Sequence, residues 1–267
     1  MTHVIITGGS SGIGLAVASI YASRGARLSL IARSRDLLEQ AKEMLVSEHG
    51  ATDGDIRVEA ADVAREDEIE TAIRRCIETF GPCDILVTSA GIVEPAPFEE
   101  QQSTTFRHQI ETNLCGTVQA VRAVYPEMQR RRSGHIMMIS SGAGLIGIYG
   151  YTAYCASKFA LHGFAQALRS EARRHNVGVS ISFPPDTKTP QLARESGLRP
   201  PEASIVMGAV RPWTAEAVAS RIAMAIDRRR SEVYFGLTLF LLGRFGPAVR
   251  PLLDRWFDRA IARNSGR

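Results

Sequence analysis

The chain of 267 residues is 45% hydrophobic and 22% charged, and its formal net charge is +4. This is the composition of a globular protein with a sizeable core, and so small a charge does not indicate a nucleic-acid partner. The four cysteines are scattered, without C-x-x-C pairs or histidines at metal-ligand spacing, so we expect reduced thiols in a cytoplasmic setting and no metal site. No apolar run reaches the roughly 20 residues of a membrane-spanning helix.

The first predicted element is an apolar strand at Val4–Thr7, followed by a glycine-rich turn and a helix that begins near Leu15. The turn reads Gly8-Gly9-Ser10-Ser11-Gly12-Ile13-Gly14. Glycines at this place let the backbone approach a pyrophosphate, whose charge faces the N–H groups at the helix N-terminus. Because the turn lies between a strand and a helix, the sequence favours a dinucleotide site over a merely tight turn.

The second predicted strand, Arg27–Ile31, ends shortly before Arg33 and Arg35. Dinucleotide-binding folds that use NAD place an acidic residue here to hold the ribose 2′-hydroxyl. Arginine suits a 2′-phosphate better, so the sequence predicts NADPH as the cofactor. The alternative is a solvated loop arginine, which is common in such loops.

The rest of the chain alternates in the same way. Further strands are predicted at 56–60, 84–87, 135–139, 177–183 and 233–235, and helices at about 35–49, 66–79, 103–130 and 214–228 and around Tyr154. Short apolar strands separated by helices predict a parallel sheet that is covered on both faces. We therefore expect a single α/β domain over residues 1–235, a Rossmann-type doubly wound sheet of about seven strands.

Ligands of such sheets bind outside the carboxyl ends of the strands. The residues that follow strands here are Gly8, Asp62, Val63, Ala90, Gly91, Ser140, Ser141 and Pro184. One crevice should therefore collect them.

The helix after the fifth predicted strand carries Tyr154 and Lys158, which lie at i and i+4 and share one face. A tyrosine ordinarily titrates near ~10, and a neighbouring ammonium favours the phenolate, so we expect Lys158 to lower the pKa of Tyr154. The pair then forms an acid that is usable near neutral pH. Taken alone, the same spacing also arises by chance on solvated helix faces.

Several of these residues together resemble the short-chain dehydrogenase/reductase family, from Thr2 to about Phe235. The matching residues are Thr7, Gly8, Gly12, Gly14, Asp62, Asn113, Ser141, Tyr154 and Lys158. Ser141 precedes Tyr154 by thirteen residues, the spacing usual in the family. The family's Asn-Asn-Ala-Gly is replaced here by residues 88–91, Thr-Ser-Ala-Gly, which removes side-chain hydrogen bonds that brace the sheet.

The resemblance implies a reductase in which NADPH delivers a hydride to a ketone carbon. Ser141 would hydrogen-bond the ketone oxygen and Tyr154 would donate the proton. Lys158 would also hold the nicotinamide ribose, and Asn113 would anchor a water connecting Lys158 to solvent. The implied cofactor-binding residues are Gly8, Ser10, Ser11, Gly12, Ile13, Gly14, Arg33, Arg35, Asp62, Val63, Ala90, Gly91, Tyr154, Lys158, Pro184, Thr187 and Thr189. Taken singly, Asn113 could instead be a helix hydrogen-bonding residue and Ser141 a strand-end cap.

A narrower resemblance lies in Pro184-Pro185-Asp186-Thr187-Lys188-Thr189-Pro190, where most of the superfamily has Pro-Gly. This form is similar to that of 3-ketodihydrosphingosine reductases, which implies a long-chain keto lipid as substrate and a homo-oligomer, a dimer or a tetramer. That group often has a lysine where Leu37 stands. The alternatives are a reductase of other hydrophobic ketones or 3-oxoacyl compounds, and a non-catalytic protein that senses NADP(H). Intact Ser141, Tyr154 and Lys158 argue against the sensor.

The last two segments differ in character from the alternating pattern. Residues 186–213 contain several prolines that break any long helix, and we expect a lid over the substrate. In that segment, residues 205–207, Ile-Val-Met, would line an acyl channel or belong to the core.

Residues 236–267 form a C-terminal extension that begins with an apolar stretch, 237–242. It continues with a helical apolar stripe made of Val249, Leu252, Leu253, Trp256, Phe257, Ala260 and Ile261. From residue 233 on there are six arginines and two aspartates, a balance of 6 − 2 = +4. A basic amphipathic helix with tryptophan is typical of a peripheral contact with the cytoplasmic membrane face. The alternative is a helix that covers its own core or a dimer partner.

Overall fold

The computed structural model describes residues 1–208 and 211–264, apart from the side chains of residues 205–206, 247, 250, 252–254, 258 and 260–264. Its strands are β1 (His3–Thr7), β2 (Arg27–Ala32), β3 (Ile56–Ala60), β4 (Ile85–Thr88), β5 (His135–Ile139), β6 (Gly178–Phe183), β7 (Thr187–Lys188), β8 (Trp213–Thr214) and β9 (Glu232–Tyr234). Its helices are α1 (Gly12–Ala22), α2 (Arg35–His49), α3 (Glu66–Phe80), α4 (Ser103–Ile110), α5 (Gly116–Arg131), α6 (Thr152–Ala172), α7 (Pro190–Ser196), α8 (Pro201–Met207), α9 (Ala215–Asp227) and α10 (Leu237–Asn264).

The described strands form a parallel seven-stranded sheet in the order β3-β2-β1-β4-β5-β6-β9, with β7 and β8 as a separate short pair. Successive side chains of a strand point to opposite faces. In β1, Val4 and Ile6 pack into one core cluster with residues of α1, α2 and α9. Ile5 packs into the other, with residues of α3, α5 and α6. Both faces of the sheet are buried, and the predicted Rossmann-type fold is confirmed.

The predicted long helix at 103–130 is interrupted in the structure. Between α4 and α5 the residues Glu111–Cys115 form a π-helical turn. Such a turn inserts one extra residue into the helix and is frequent at functional sites. Apolar periodicity alone does not reveal it, because the helix continues in the same direction on both sides.

The C-terminal extension is one helix, α10, rather than an apolar stretch followed by a separate helix. It continues through Pro247 and Pro251 although each lacks an N–H donor. At Gly243 the helix approaches β9 so closely that a Cβ would lie 2.0 Å from the ring of Tyr234. No helix in the described ranges is long and apolar enough to cross a membrane.

A buried histidine links the two strands β5 and β6. The side chain of His135 is 6% exposed, and its Nε2 lies 2.8 Å from the hydroxyl of Ser180. Since that hydroxyl donates to the carbonyl of Arg230, it accepts from His135. Burial lowers the pKa of His135 to about 4, so the neutral ring is the form that the fold accommodates.

We predict that this histidine makes the fold sensitive to acid. Because its pKa in the folded state lies below the unfolded value near 6.5, its stabilising contribution is complete above pH 6.5 and is lost as the pH falls towards 4. At pH 5 the loss of unfolding free energy through this group should be about 2 kcal/mol. Denaturant titrations at pH 7 and pH 5 would measure it. Between pH 7 and pH 5, the unfolding free energy of His135→Gln should fall by less than that of the wild type. The unfolding free energy of the half-buried control His49→Gln should fall by as much as that of the wild type. An equal loss in His135→Gln would contradict the assignment.

Candidate active site

A large crevice lies at the carboxyl ends of the strands, with a volume of about 1170 Å³. Small-molecule pockets usually measure about 300–1,000 Å³, so this one has room for a dinucleotide and a substrate together. The predicted site residues that line it are Gly8, Ser10, Ser11, Gly12, Ile13, Arg33, Asp62, Val63, Ala90, Gly91, Ser141, Tyr154, Lys158, Pro184, Thr187 and Thr189. Gly14, Arg35 and Asn113 do not line it.

The glycine-rich turn packs closely against the end of β4. Gly8 has a φ of +70°, and a Cβ there would lie 2.6 Å from the backbone nitrogen of Ala90. Gly14 supports the turn from behind, because a Cβ on it would lie 2.3 Å from the carbonyl oxygen of Gly8. Side chains at these two positions would push the turn out of its place. The backbone therefore forms the floor of the crevice at this point.

The N-terminus of α1 faces the crevice beside this turn. Its N-cap residue, Ser11, makes no side-chain hydrogen bond to the helix, so the first N–H groups are not capped from within the turn. Uncapped N–H groups and the helix dipole together favour an anion. The residues present thus fit the pyrophosphate of a dinucleotide.

The two arginines after β2 differ in their surroundings. Arg33 is exposed and lines the crevice, and its guanidinium has no partner among the described residues. Arg35 is the first residue of α2, and its Nε lies 3.0 Å from Oε1 of Glu39 in the same helix. Arg33 is therefore the arginine available to a ligand in the crevice. Leu37 also lines the crevice nearby.

The loops after β3 and β4 form the adjoining wall. Asp62 is fixed by its own turn, where Oδ1 accepts a hydrogen bond of 3.0 Å from the backbone nitrogen of Ala64. The Thr88 hydroxyl, which stands where the family has asparagine, is buried without a hydrogen-bond partner in the described part of the chain. This agrees with the expected loss of bracing hydrogen bonds. The chain turns into the crevice at Ala90 and Gly91 despite that loss.

Ser141, Tyr154 and Lys158 converge at the centre of the crevice. Ser141 follows β5, and its hydroxyl accepts a hydrogen bond from the Ala143 nitrogen at 3.1 Å and is near enough to Tyr154 to influence the pKa of its phenol. The ammonium of Lys158 lies 5.5 Å from the centre of the Tyr154 ring and donates to the Ile139 carbonyl at 3.1 Å. The i and i+4 spacing thus places the phenol and the ammonium on one face of α6, as predicted.

Burial dominates the titration of both groups. It lowers the pKa of Lys158, which is 5% exposed, to about 8. It also raises the pKa of Tyr154 above its ordinary value, and the negative charge of Glu195 adds to the rise while the neighbouring Ser141 side chain opposes it. The net direction is opposite to the lowering expected from the neighbouring ammonium, because burial and Glu195 outweigh it. Tyr154 is a protonated phenol at neutral pH, the form that a proton donor needs.

Asn113 lies in the π-helical turn, behind the crevice wall. Its Oδ1 accepts from the Ile92 nitrogen at 2.8 Å, and its Nδ2 donates to the Ile92 carbonyl at 2.9 Å and to the Ser157 hydroxyl at 3.0 Å. The side chain thus ties the loop after β4 to α6. The residue is fully buried, which favours a positioning role for its side chain.

The segment after β6 closes the crevice from the opposite side. The Pro184 carbonyl accepts from the Gly142 nitrogen at 2.9 Å. Thr187 donates its hydroxyl to the Pro185 carbonyl at 2.8 Å. Thr189 is the N-cap of α7, and its methyl group would lie 3.0 Å from a Cβ on Gly12. The segment therefore spans the crevice from the substrate side to the glycine-rich turn.

Sequence reasoning missed a charged network beside Tyr154. Tyr151 donates its hydroxyl to Glu195 Oε1 at 2.6 Å, and Arg199 pairs with Glu195 at 2.8 Å and with Asp186 at 3.1 Å. The i, i+4 spacing of Glu195 and Arg199 was a usable signal. Such pairs are common on solvated helices, so the spacing alone does not identify a network at the site.

Sequence reasoning also missed that the C-terminal helix lines the crevice. Leu239, Leu242, Trp256 and Phe257 of α10 contribute to its wall. Met207 of the predicted lid lines it as well, whereas the side chains of residues 205 and 206 lie outside the described part. In the apolar stripe, the side chains of residues 252, 253, 260 and 261 are likewise outside it.

The chain is similar in sequence to known proteins. The family profile of the short chain dehydrogenases matches residues 2–197. The 3-ketodihydrosphingosine reductase of Bos taurus is 39% identical over 222 residues, which are 82% of this chain and 67% of the bovine protein. A 3-dehydrosphinganine reductase of Arabidopsis thaliana is 41% identical over 257 residues, 95% of this chain and 76% of the plant protein.

Solved structures share the fold. Levodione reductase superposes with a TM-score of 0.80 at 25% identity, over 88% of this chain and 95% of its own. An alcohol dehydrogenase from Thermococcus sibiricus, complexed with 5-hydroxy-NADP, reaches 0.75 at 24% identity over 88% and 96% of the two chains. From the family profile and the curated relatives it follows that the chain belongs to the short-chain dehydrogenase family, whose members are oxidoreductases that use a nicotinamide cofactor.

Proposed function

We propose that this protein is an NADPH-dependent reductase of a long-chain keto lipid, converting 3-ketodihydrosphingosine to dihydrosphingosine. The observation that carries the proposal is that Ser141, Tyr154 and Lys158 line one crevice whose outer walls are apolar. The names of the bovine and plant relatives support the choice of substrate.

Each residue of the site has its own role in the reduction of the ketone. The cofactor, when bound, supplies the hydride that reduces the ketone carbon. Ser141 donates a hydrogen bond to the ketone oxygen, and Tyr154 gives that oxygen its proton. The charge of Lys158 then stabilises the phenolate that Tyr154 becomes. Asn113 keeps the loop after β4 and α6 in register behind these groups.

The apolar wall suits the alkyl chain of the proposed substrate. It is formed by Met207 of α8, Trp213 of β8, and Leu239, Leu242 and Phe257 of α10. Burying one methylene contributes about 0.8 kcal/mol, so a long chain gains much more here than a short ketone does. This favours a lipid over the small ketones that a polar crevice would take.

The direct test is reduction of 3-ketodihydrosphingosine beside short ketones and a 3-oxoacyl compound, followed by nicotinamide absorbance. We expect the long-chain substrate to have the highest kcat/KM. Tyr154→Phe should lower turnover by about 10²-fold or more, because the proton donor is lost. It should leave NADPH binding largely intact, and the exposed control Tyr149→Phe should behave as the wild type.

Other results would select the alternatives. A higher kcat/KM for the 3-oxoacyl compound would identify a reductase of those substrates. NADPH binding without turnover of any ketone would favour a sensor. Retention of more than a few per cent of turnover in Tyr154→Phe would remove Tyr154 from the role of acid.

A second prediction concerns the choice between NADPH and NADH. Arg33 lines the crevice with a guanidinium that no described residue pairs, and this group can form a charge-assisted and bidentate contact with a 2′-phosphate. Arg33→Asp should therefore shift the ratio of kcat/KM values from NADPH towards NADH by about 10-fold or more. Arg35→Asp is the matched control. Because Arg35 lies outside the crevice, this variant should keep nearly the same ratio of kcat/KM values for NADPH and NADH as the wild type. A ratio that is unchanged in Arg33→Asp would show that Arg33 is only a loop residue.

We further propose that the enzyme is peripheral on the cytoplasmic face of a membrane and contacts it through α10. Leu237, Leu241 and Phe245 recur at intervals of four residues, and they are 71%, 43% and 54% exposed. Trp256 of the same helix is 56% exposed. Apolar side chains with interspersed arginines suit the interface of an anionic bilayer, where each basic residue contributes about 1 kcal/mol.

Flotation with anionic liposomes tests this contact on the full chain. The wild type should float at low salt, and a variant with Leu237→Ser, Leu241→Ser and Phe245→Ser should stay in the soluble fraction. Met224→Ser, an exposed apolar residue of α9, should float like the wild type. If the wild type does not float, the face would instead join copies of the chain. Light scattering should then show the dimer or tetramer, and the triple variant should be monomeric.

A further inference from the structure

The charged network beside Tyr154 leaves one carboxylate oxygen open to the crevice. Glu195 is 8% exposed and lines the crevice. Its Oε1 accepts from the Tyr151 hydroxyl at 2.6 Å and from Arg199 at 2.8 Å. Its Oε2 accepts no hydrogen bond from any described residue. Because this oxygen faces the crevice, it is free to accept a hydrogen bond from a molecule bound there.

The charges of this network do not balance. Arg199 is shared between Glu195 and Asp186, so two carboxylates face one guanidinium. Tyr151 adds no charge, because burial raises the pKa of its phenol. Arg194 and Arg211 also line the crevice, but both are exposed and neither pairs with Glu195. One negative charge is left in a confined place, and a bound cation would balance it.

The open carboxylate is close to the reacting centre. Tyr151, which holds Glu195, packs edge to face against Tyr154 with ring centres 6.2 Å apart. The charge of Glu195 is also felt at the Tyr154 hydroxyl, where it raises the pKa of the phenol. Because Tyr154 marks the position of the ketone oxygen, a group on the carbon next to the ketone would lie near Glu195. The ammonium of Lys158, which is also buried and lines the crevice, donates a hydrogen bond to the Ile139 carbonyl.

We propose that Glu195 binds a protonated amine on the carbon next to the ketone, so that the crevice selects 2-amino ketones over plain ketones. An ammonium has three donors and no acceptor; one donor fits Oε2, and the charge offsets the excess in the network. The inference rests on the proposed function and deepens it, since 3-ketodihydrosphingosine carries an amine at this carbon. Glu195 would then determine specificity, while the carbonyl chemistry stays with Ser141 and Tyr154.

The test compares two ketones that differ only at this carbon. One is 3-ketodihydrosphingosine and the other has hydrogen in place of the amine, with the same chain and the same primary hydroxyl. For the wild type we expect kcat/KM to favour the amino ketone by about 10-fold to 100-fold. Glu195→Gln keeps the shape of the side chain and removes its charge. The ratio of kcat/KM for the amino ketone to kcat/KM for the plain ketone should therefore fall to near one. Because the ratio is taken within each variant, changes in Tyr154 acidity or in the amount of folded enzyme cancel.

Glu94→Gln is the matched control, since Glu94 is an exposed carboxylate that also lines the crevice. Its preference for the amino ketone should equal that of the wild type. An unchanged preference in Glu195→Gln would overturn the assignment, and a loss in Glu94→Gln alone would move the amine to Glu94. If Glu195→Gln does not fold, the wild type still decides, because equal kcat/KM for the two ketones would overturn the proposal.

A binding measurement separates this inference from the proposed function. With oxidised cofactor bound, calorimetry compares a soluble short-chain 2-amino-1,3-diol with the matching 1,3-diol. Tighter binding of the amine by the wild type, lost in Glu195→Gln, supports amine recognition even if neither ketone is reduced. In that case the proposed reaction fails and the amine site stands. Equal binding of the two diols by the wild type refutes the amine site whatever the enzyme reduces.

Discussion

The site depends on how closely the backbone of the glycine-rich turn approaches the end of β4. Gly8 and Ala90 meet where a single Cβ would already overlap, and Gly14 holds the turn from the other side. This contact lies between β1 and β4, where the strand order of the sheet reverses. Parallel sheets bind ligands at that point. The crevice therefore exists because three backbone segments come together there without side chains between them.

Burial of charge then shapes the chemistry on that floor. Lys158 beside Tyr154, and Glu195 in the network with Asp186 and Arg199, are both buried. Desolvation pushes the pKa of the lysine down and that of the tyrosine up, so the two values move apart. In the proposed reaction the phenol keeps its proton until the ketone substrate takes it. A charged lysine beside it would stabilise the phenolate during that transfer, which is when stabilisation counts for catalysis.

Much of this architecture could be predicted from the sequence because it follows from local pattern. Buried parallel strands are continuous apolar runs, so His135–Ile139 was located to the residue. Ser141 and Tyr154 were identified from the resemblance to the short-chain dehydrogenases, in which this spacing is usual. The π-helical turn at Glu111–Cys115 was missed because it leaves the periodicity on either side intact. The expected lowering of the Tyr154 pKa was wrong because burial of the phenol raises that pKa. Glu195, which is 41 residues away and approaches only when the segment after β6 folds back over the crevice, adds to the rise.

The C-terminal helix has two roles that its sequence pattern could not separate. The apolar stripe predicted one face with one partner, which was a membrane, the core or a second copy of the chain. In the structure Leu239 and Leu242 line the crevice, while Leu241 and Phe245 stay exposed. Two apolar faces on one helix explain why tryptophan and phenylalanine recur so densely there. If the exposed face binds a bilayer as proposed, the other face already forms the crevice wall. A keto lipid could then pass from bilayer to crevice along α10 with little of its chain crossing water, where each exposed methylene costs about 0.8 kcal/mol.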